Sequence, residues 1–140
     1  DEVYAAANSR ARQSIDVSRR AVAPYANRRR EVSGETGVAP GVSMVPLPGH
    51  TPGHCGVLIE DGDAQLLIWG DTIHAEAFQV AEPGWSVLFD VDQDQARATR
   101  VRLFDRVATD GLMVAGPHVR FPGFSRLERA KTGYRLLHLD

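Results

Sequence analysis

Three apolar runs in this chain end in the same way, and that shared ending constrains the fold more than any other feature. The runs read MVPLPG-His50, LLIWG-Asp71 and LMVAGP-His118. Each breaks at Gly or Gly-Pro, and each break is followed by a side chain able to bind a metal. Gly lets the backbone turn sharply where a Cβ would clash. In layered α/β and β-sheet folds, groups that do chemistry collect on loops just beyond the carboxyl ends of strands. Two imidazoles and one carboxylate from neighbouring strand ends match zinc, manganese or ferrous iron. Each residue alone is more often a turn or capping residue; the repeated context is what points to a site.

The first ending belongs to the strongest turn signal in the chain, Pro48-Gly-His-Thr-Pro-Gly-His54. Around it the patterns predict short strands over 43–47, 54–60 and 64–69, the last two joined as a hairpin by Asp61-Gly62-Asp63. A helix is expected over 93–108, capped by Asp92 with Gln95 in the capping-box position and stopped by Gly111. Its expected buried stripe is Val101, Phe104 and Val107/Ala108. Residues 112–115 read as a strand buried on both faces, and 134–139 as a final strand. Upstream, 2–30 is helix-prone, with Pro24 ending or kinking the second piece, and 32–41 reads as a loop. Arg28-Arg29-Arg30 reads as a solvated helix end.

Bulk properties exclude several classes. A net charge of −2 with 24% charged residues gives no hint of nucleic acid or membrane as partner. The apolar runs LLIW and LMVA fall far short of the roughly 20 residues that span a bilayer. The single Cys55 excludes an internal disulfide framework and a cysteine-rich zinc site, and is expected to be a small core residue. A cytoplasmic home fits best, though a mature exported protein would look the same. The chain starts DEVYAAANSR, without Met and inside what reads as helix, so it is expected to be a segment of a longer protein.

The sequence of PGHTPGH, then IWGDTIH, then AGPH resembles the second half of the metallo-β-lactamase superfamily of metallohydrolases, from about Val38 to the C-terminus. The run from GDTIHAEAFQ to PHVRFPGFSRL is most similar to the branch of methyl parathion hydrolase and the quorum-quenching lactonases. The resemblance implies an α/β (α+β) fold, the C-terminal half of an αββα sandwich: a mixed sheet flanked by helices. It implies His50 as a ligand of a first metal, Asp71 as a bridging carboxylate and His118 as a ligand of a second. His54 would hydrogen-bond within the turn and steady His50. His74 stands where many lactonase relatives have a Tyr that assists the leaving group or carbonyl, and is a candidate general acid or a hydrogen-bonding neighbour of a ligand. The implied cofactor is zinc, two ions per intact site, with manganese or iron as alternatives. The implied chemistry is hydrolysis of an ester, lactone or phosphotriester by a hydroxide held between the metals. Trp85, Phe121 and Phe124 are candidate walls of a pocket for a small-molecule substrate, whereas Phe89 is expected in the core.

The superfamily's H-x-H-x-D-H motif is absent from these 140 residues. One His and a shared Asp per metal do not complete a four-coordinate site, so residues 1–140 read as a single partial domain. The expectation is weak metal binding by the chain alone, with a missing N-terminal half or self-association covering the open sheet face. The alternative is a non-catalytic fragment or interaction module. Asp90-Val-Asp92-Gln-Asp94 imitates a calcium loop but has Gln95 and Val101 where Gly and Glu are required, so these acids read as helix-start residues. His138 reads as structural.

Overall fold

A computed structural model describes residues 4, 5 and 9–139. The expectation of helix over 2–3 and 6–8 lies outside the described residues. The chain divides into two compact units, Asp1–Val32 and Ser33–Asp140. In the first, α1 (Ser9–Val22) gives way to a 3-10 turn at Ala23–Tyr25. Pro24 lies in that turn, as its missing N–H and fixed φ require. Within this unit the Tyr4 hydroxyl donates to Asp16 Oδ2 at 3.0 Å. Arg28, Arg29 and Arg30 are exposed.

The second unit is one seven-stranded sheet whose spatial order follows the sequence: β1 (Thr36–Ala39), β2 (Val42–Pro46), β3 (Cys55–Asp61), β4 (Ala64–Ile68), β5 (Met113–Ala115), β6 (Phe124–Arg129) and β7 (Tyr134–His138). Every neighbouring pair is antiparallel except β4 and β5. That parallel pair needs a long crossover, supplied by residues 69–112 with the short α2 (Glu76–Gln79) and the long α3 (Gln93–Asp110). This is the expected mixed sheet flanked by helices. Among the described residues no helix is long and apolar enough to cross a membrane.

Two strands lay hidden in the sequence. The expected loop over 32–41 contains β1, because Pro40-Gly41 makes a tight turn into β2. Gly41 has φ +67, and a Cβ there would meet the Glu60 carbonyl oxygen at 2.5 Å. β6 reads FSRLER, too charged to stand out, yet Ser125 and Leu127 alternate inward from it.

Helix α3 runs two residues past its expected end. The Asp92 side chain accepts from the Gln95 N–H, and Gly111 closes the helix in left-handed conformation. Its buried face is Ala96, Thr99, Arg100, Leu103, Phe104 and Val107, a 3.6-residue stripe. Val101 is therefore a correction: it is 47% exposed, lying one residue, about 100°, round from the stripe that Arg100 marks. Phe104 and Val107 are fully buried. They pack with Leu103 on Val45, Leu58, Leu67, Val114 and Leu127 from one face of the sheet.

The other face is open. Cross-strand neighbours form an apolar row from Met44 through Val57, Ile68 and Ala115 to Phe124. A second row runs Val42, Ile59, Leu66 and Met113. All of these are half-buried or exposed. Residues 113–115 are thus buried on one face only, contrary to the two-sided burial expected for this strand. Cys55 is likewise only half-buried, outside the core where it was expected.

Candidate metal centre

β2 and β4 both run antiparallel to β3, so they point the same way, and β5 is parallel to β4. The carboxyl ends of all three strands therefore open onto one rim. His50, Asp71 and His118 meet there. Asp71 Oδ2 lies 3.5 Å from His50 Nε2, and Asp71 Oδ1 lies 3.4 Å from His118 Nε2.

His50 is placed by a turn clamped to the start of α3. Val91 N–H donates to the His50 carbonyl at 3.1 Å and Asp92 N–H to the Gly49 carbonyl at 3.0 Å. Thr99 Oγ1 donates to the Pro48 carbonyl at 2.7 Å. Gly49 is obligatory: its φ is +131, and a Cβ would sit 2.2 Å from Ala96 N. The ring is oriented from behind by Asp90, whose Oδ1 is 3.2 Å from His50 Nδ1. A carboxylate only accepts, so this contact takes the Nδ1–H of His50 and directs Nε2 at Asp71, the orientation that carboxylates impose on metal-binding histidines. Asp90 is 6% exposed. Reading it as a helix-start residue was wrong. Asp92 alone caps α3, and the signal available was an acid two positions before the cap with no capping role of its own.

His54 has no nitrogen to spare. Its Nδ1–H donates to the Leu47 carbonyl at 2.8 Å, and its Nε2 accepts from the Asp71 backbone N–H at 3.0 Å. It steadies more than its own turn, since it fixes the backbone that carries the shared carboxylate. Gly70 makes this approach possible; a Cβ there would meet His54 Nε2 at 2.6 Å.

His118 adopts φ 63 and is the only non-glycine with positive φ among the described residues. Such strain persists where the surroundings over-determine it, and functional sites are where it clusters. Here Arg120 N–H donates to Glu76 Oε2 at 3.0 Å. Glu76 Oε1 in turn lies 2.9 Å from His138 Nε2, and His138 Nδ1 is 3.1 Å from Ser125 Oγ. His138 is structural, as expected: it ties β6 and β7 to the segment carrying His74.

His74 lies between the two histidines, its ring centroid 4.7 Å from that of His50 and 5.0 Å from that of His118. Burial, helped by the nearby His50, holds its pKa below the ordinary value of 6.5. Behind it, the fully buried Arg100 ties down the loop. Its guanidinium donates to the carbonyls of Thr72 and Pro83, both at 2.9 Å, and to that of Trp85. Burial pulls the Arg100 pKa below its ordinary value. Nothing in the apolar patterning marked this residue, because a charged side chain inside a helix stripe is not counted as core.

The donor set fits a divalent metal. Two ligands at about 2.0–2.1 Å from a tetrahedral zinc are about 3.4 Å apart, which is the spacing of each Asp71 oxygen from a different imidazole. Two buried atoms that could face a metal are also unpartnered, Asp90 Oδ2 and His74 Nδ1. The candidate pocket aromatics lie open rather than enclosed. Trp85 is 54% exposed and stacked on Phe78 at 5.2 Å; Phe121 is 91% exposed and Phe124 40%. Phe89 is not core. It is half-exposed and lies 6.0 Å from the His74 ring.

Comparison with known proteins bears on the fold and the family. The chain is similar to the hydrolase AbOPH of the beta lactamase superfamily (28% identity, TM-score 0.76, over 87% of this chain and 43% of that one). It is also similar to AidC, a dizinc quorum-quenching lactonase (21%, TM-score 0.84, over 96% and 46%). A third likeness is to a probable metal-dependent hydrolase from Staphylococcus aureus (18%, TM-score 0.66, over 83% and 42%). The chain spans less than half the length of each. No curated protein sequence matches it. The model of the metallo-beta-lactamase superfamily matches residues 2–118. With that match over most of its length, and with the mixed sheet and the rim of donors described above, the chain belongs to the metallo-beta-lactamase superfamily.

Proposed function

We propose that this chain carries one side of the metal centre of a hydrolase acting on esters, lactones or phosphotriesters. The observation that carries the reading is the position of Asp71, with its two oxygens 3.5 and 3.4 Å from imidazole nitrogens of two different histidines. His50 and His118 would each hold one ion, and Asp71 would span both. Zinc is the proposed metal, the ion of the similar lactonase AidC. Bound divalent ions supply a water acidified to near neutral pH and polarise the oxygen of the bond under attack.

The chain's own residues do the rest. Asp90 holds the His50 proton on Nδ1, so that Nε2 stays a ligand. His54 keeps the Asp71 carboxylate in place through its backbone N–H. Phe89, 6.0 Å from the His74 ring, and the exposed stacked pair Phe78 and Trp85 are the side chains we assign to the non-polar part of a substrate. The sheet face with its two apolar rows is the surface we assign to the other half of the fold, because an open patch of this kind normally has a partner.

The test is hydrolysis of an aryl ester, an N-acyl homoserine lactone and a phosphotriester, with zinc content measured alongside. It is run on the chain alone and on the chain mixed with an N-terminal half carrying H-x-H-x-D-H. Turnover that appears on mixing and vanishes in Asp71→Asn supports the reading. No turnover under either condition, with a stable mixed complex, favours an interaction module. Dimerisation of the chain alone that survives mixing would assign the open face to a second copy.

A further inference from the structure

We propose that His74 is itself a metal ligand, and that Asp71, His74 and His118 together hold one divalent ion in this chain without any other segment. The inference rests on the metal-centre reading above and changes the expectation of weak binding, which counted only one terminal ligand per metal.

Three observations carry it. First, Asp71, His74 and His118 each offer a donor atom, and these three atoms lie within 4.8 Å of one another. Donors on one ion at about 2.0–2.1 Å lie about 3.4 Å apart in a tetrahedron and at most about 4.2 Å apart in any geometry. Small side-chain rotations therefore close the set. Second, His74 is held but not satisfied. Its own N–H and that of Ala75 donate to Gln79 Oε1 at 2.7 and 2.9 Å, fixing the backbone, while His74 Nδ1 is buried without a hydrogen-bond partner. A buried imidazole nitrogen left empty is costly, and with Nδ1 unengaged no hydrogen bond there opposes turning the ring toward a metal. Third, the three side chains combine two imidazoles with one carboxylate, a set that binds zinc, manganese and ferrous iron.

A second grouping, His50, His74 and Asp90, lies within the same distance limit, but it is the poorer site. Asp90 is almost fully enclosed and already engaged by His50 Nδ1. The Asp71 and His118 side chains are 39% and 45% exposed, so an ion there has an entry path and open positions for water.

The experiment is titration of the 140-residue chain with zinc alone, followed by the ring-nitrogen NMR shifts of its five histidines and by competition with a chromophoric chelator. The expected result is one zinc per chain, with ring-nitrogen shifts at His74 and His118 and none at His54 or His138. His74→Ala and His118→Ala should each weaken zinc by at least about 100-fold, beyond the roughly 10–100-fold cost of losing a neighbour that only orients a ligand. Because the NMR readout uses the unsubstituted chain, it stands even where a variant folds poorly. Shifts at His50 and His118 with His74 unmoved would overturn the inference and leave the metal-centre reading intact. So would wild-type affinity in a folded His74→Ala. Failure of the chain alone to bind zinc would also overturn it, whereas the metal-centre reading would fall only if the complemented protein bound none.

Discussion

Replacing Gly49 by Ala should disable the rim without touching a ligand. A Cβ at position 49 would stand 2.2 Å from Ala96 N, 2.4 Å from Ala96 Cα and 2.8 Å from Ala96 Cβ. Two of those atoms are helix backbone, so no rotamer change relieves the clash. The φ of +131 adds conformational strain of about 1–3 kcal/mol, and overpacking against α3 adds about 1–3 kcal/mol. Moving the turn away instead would sacrifice the Val91 and Asp92 hydrogen bonds to His50 and Gly49, at about 0.5–1.5 kcal/mol each. The expected loss is therefore about 2–6 kcal/mol, a large share of the roughly 5–15 kcal/mol stability of a typical domain. Gly53, in the same motif, is the control: its φ is ordinary and nothing lies within 4 Å of a Cβ. Gly53→Ala should stay within about 0.5 kcal/mol of the parent. Urea denaturation compares them, with the midpoint falling in Gly49→Ala at unchanged slope. Equal midpoints for the two variants would refute the argument that contact with α3 sets the His50 turn.

Asp90→Asn keeps the shape behind His50 but removes the charge, and zinc affinity by chelator competition should drop by about 10–100-fold with the fold intact; unchanged affinity would mean Asp90 does not orient the ring. Arg100→Met strips donors from the carbonyls of Thr72, Pro83 and Trp85 and should cost about 3 kcal/mol or more by denaturation. A cost below about 1 kcal/mol would show that these carbonyls find other donors. The Arg106 guanidinium, donating at 2.7 and 3.0 Å, holds the Glu35 carboxyl below its ordinary 4.5. In the window below 4.5 the unfolded chain then binds more protons than the folded one, so this contribution is present above it and is lost as pH falls through the folded value. Both side chains are more than a third exposed, which limits the effect to at most about 1 kcal/mol. Glu35→Gln should flatten the acid limb of stability against pH by that amount, and an identical limb would remove the pair from the account.

The shared endings of three apolar runs single out His50, Asp71 and His118 as candidates, because turn chemistry and donor type are local properties written into consecutive residues; their roles as ligands come from the family resemblance. Their convergence was not local. It depends on β2, β4 and β5 pointing the same way, which follows only from the pairing with β3 and the crossover through α3. Composition hid β6, where charge masks the inward alternation of Ser125 and Leu127, and misplaced Val101 because Arg100 does not look like a core residue. In sequence Asp90 is indistinguishable from its acidic neighbours; only the folded chain separates the one that caps a helix from the one that turns an imidazole. Gly49 and Gly53 make the same contrast within a single motif. Pro-Gly-His occurs twice in seven residues, and one glycine is pressed against a helix while the other faces open space, because packing between segments remote in sequence decides which turn has room for a side chain.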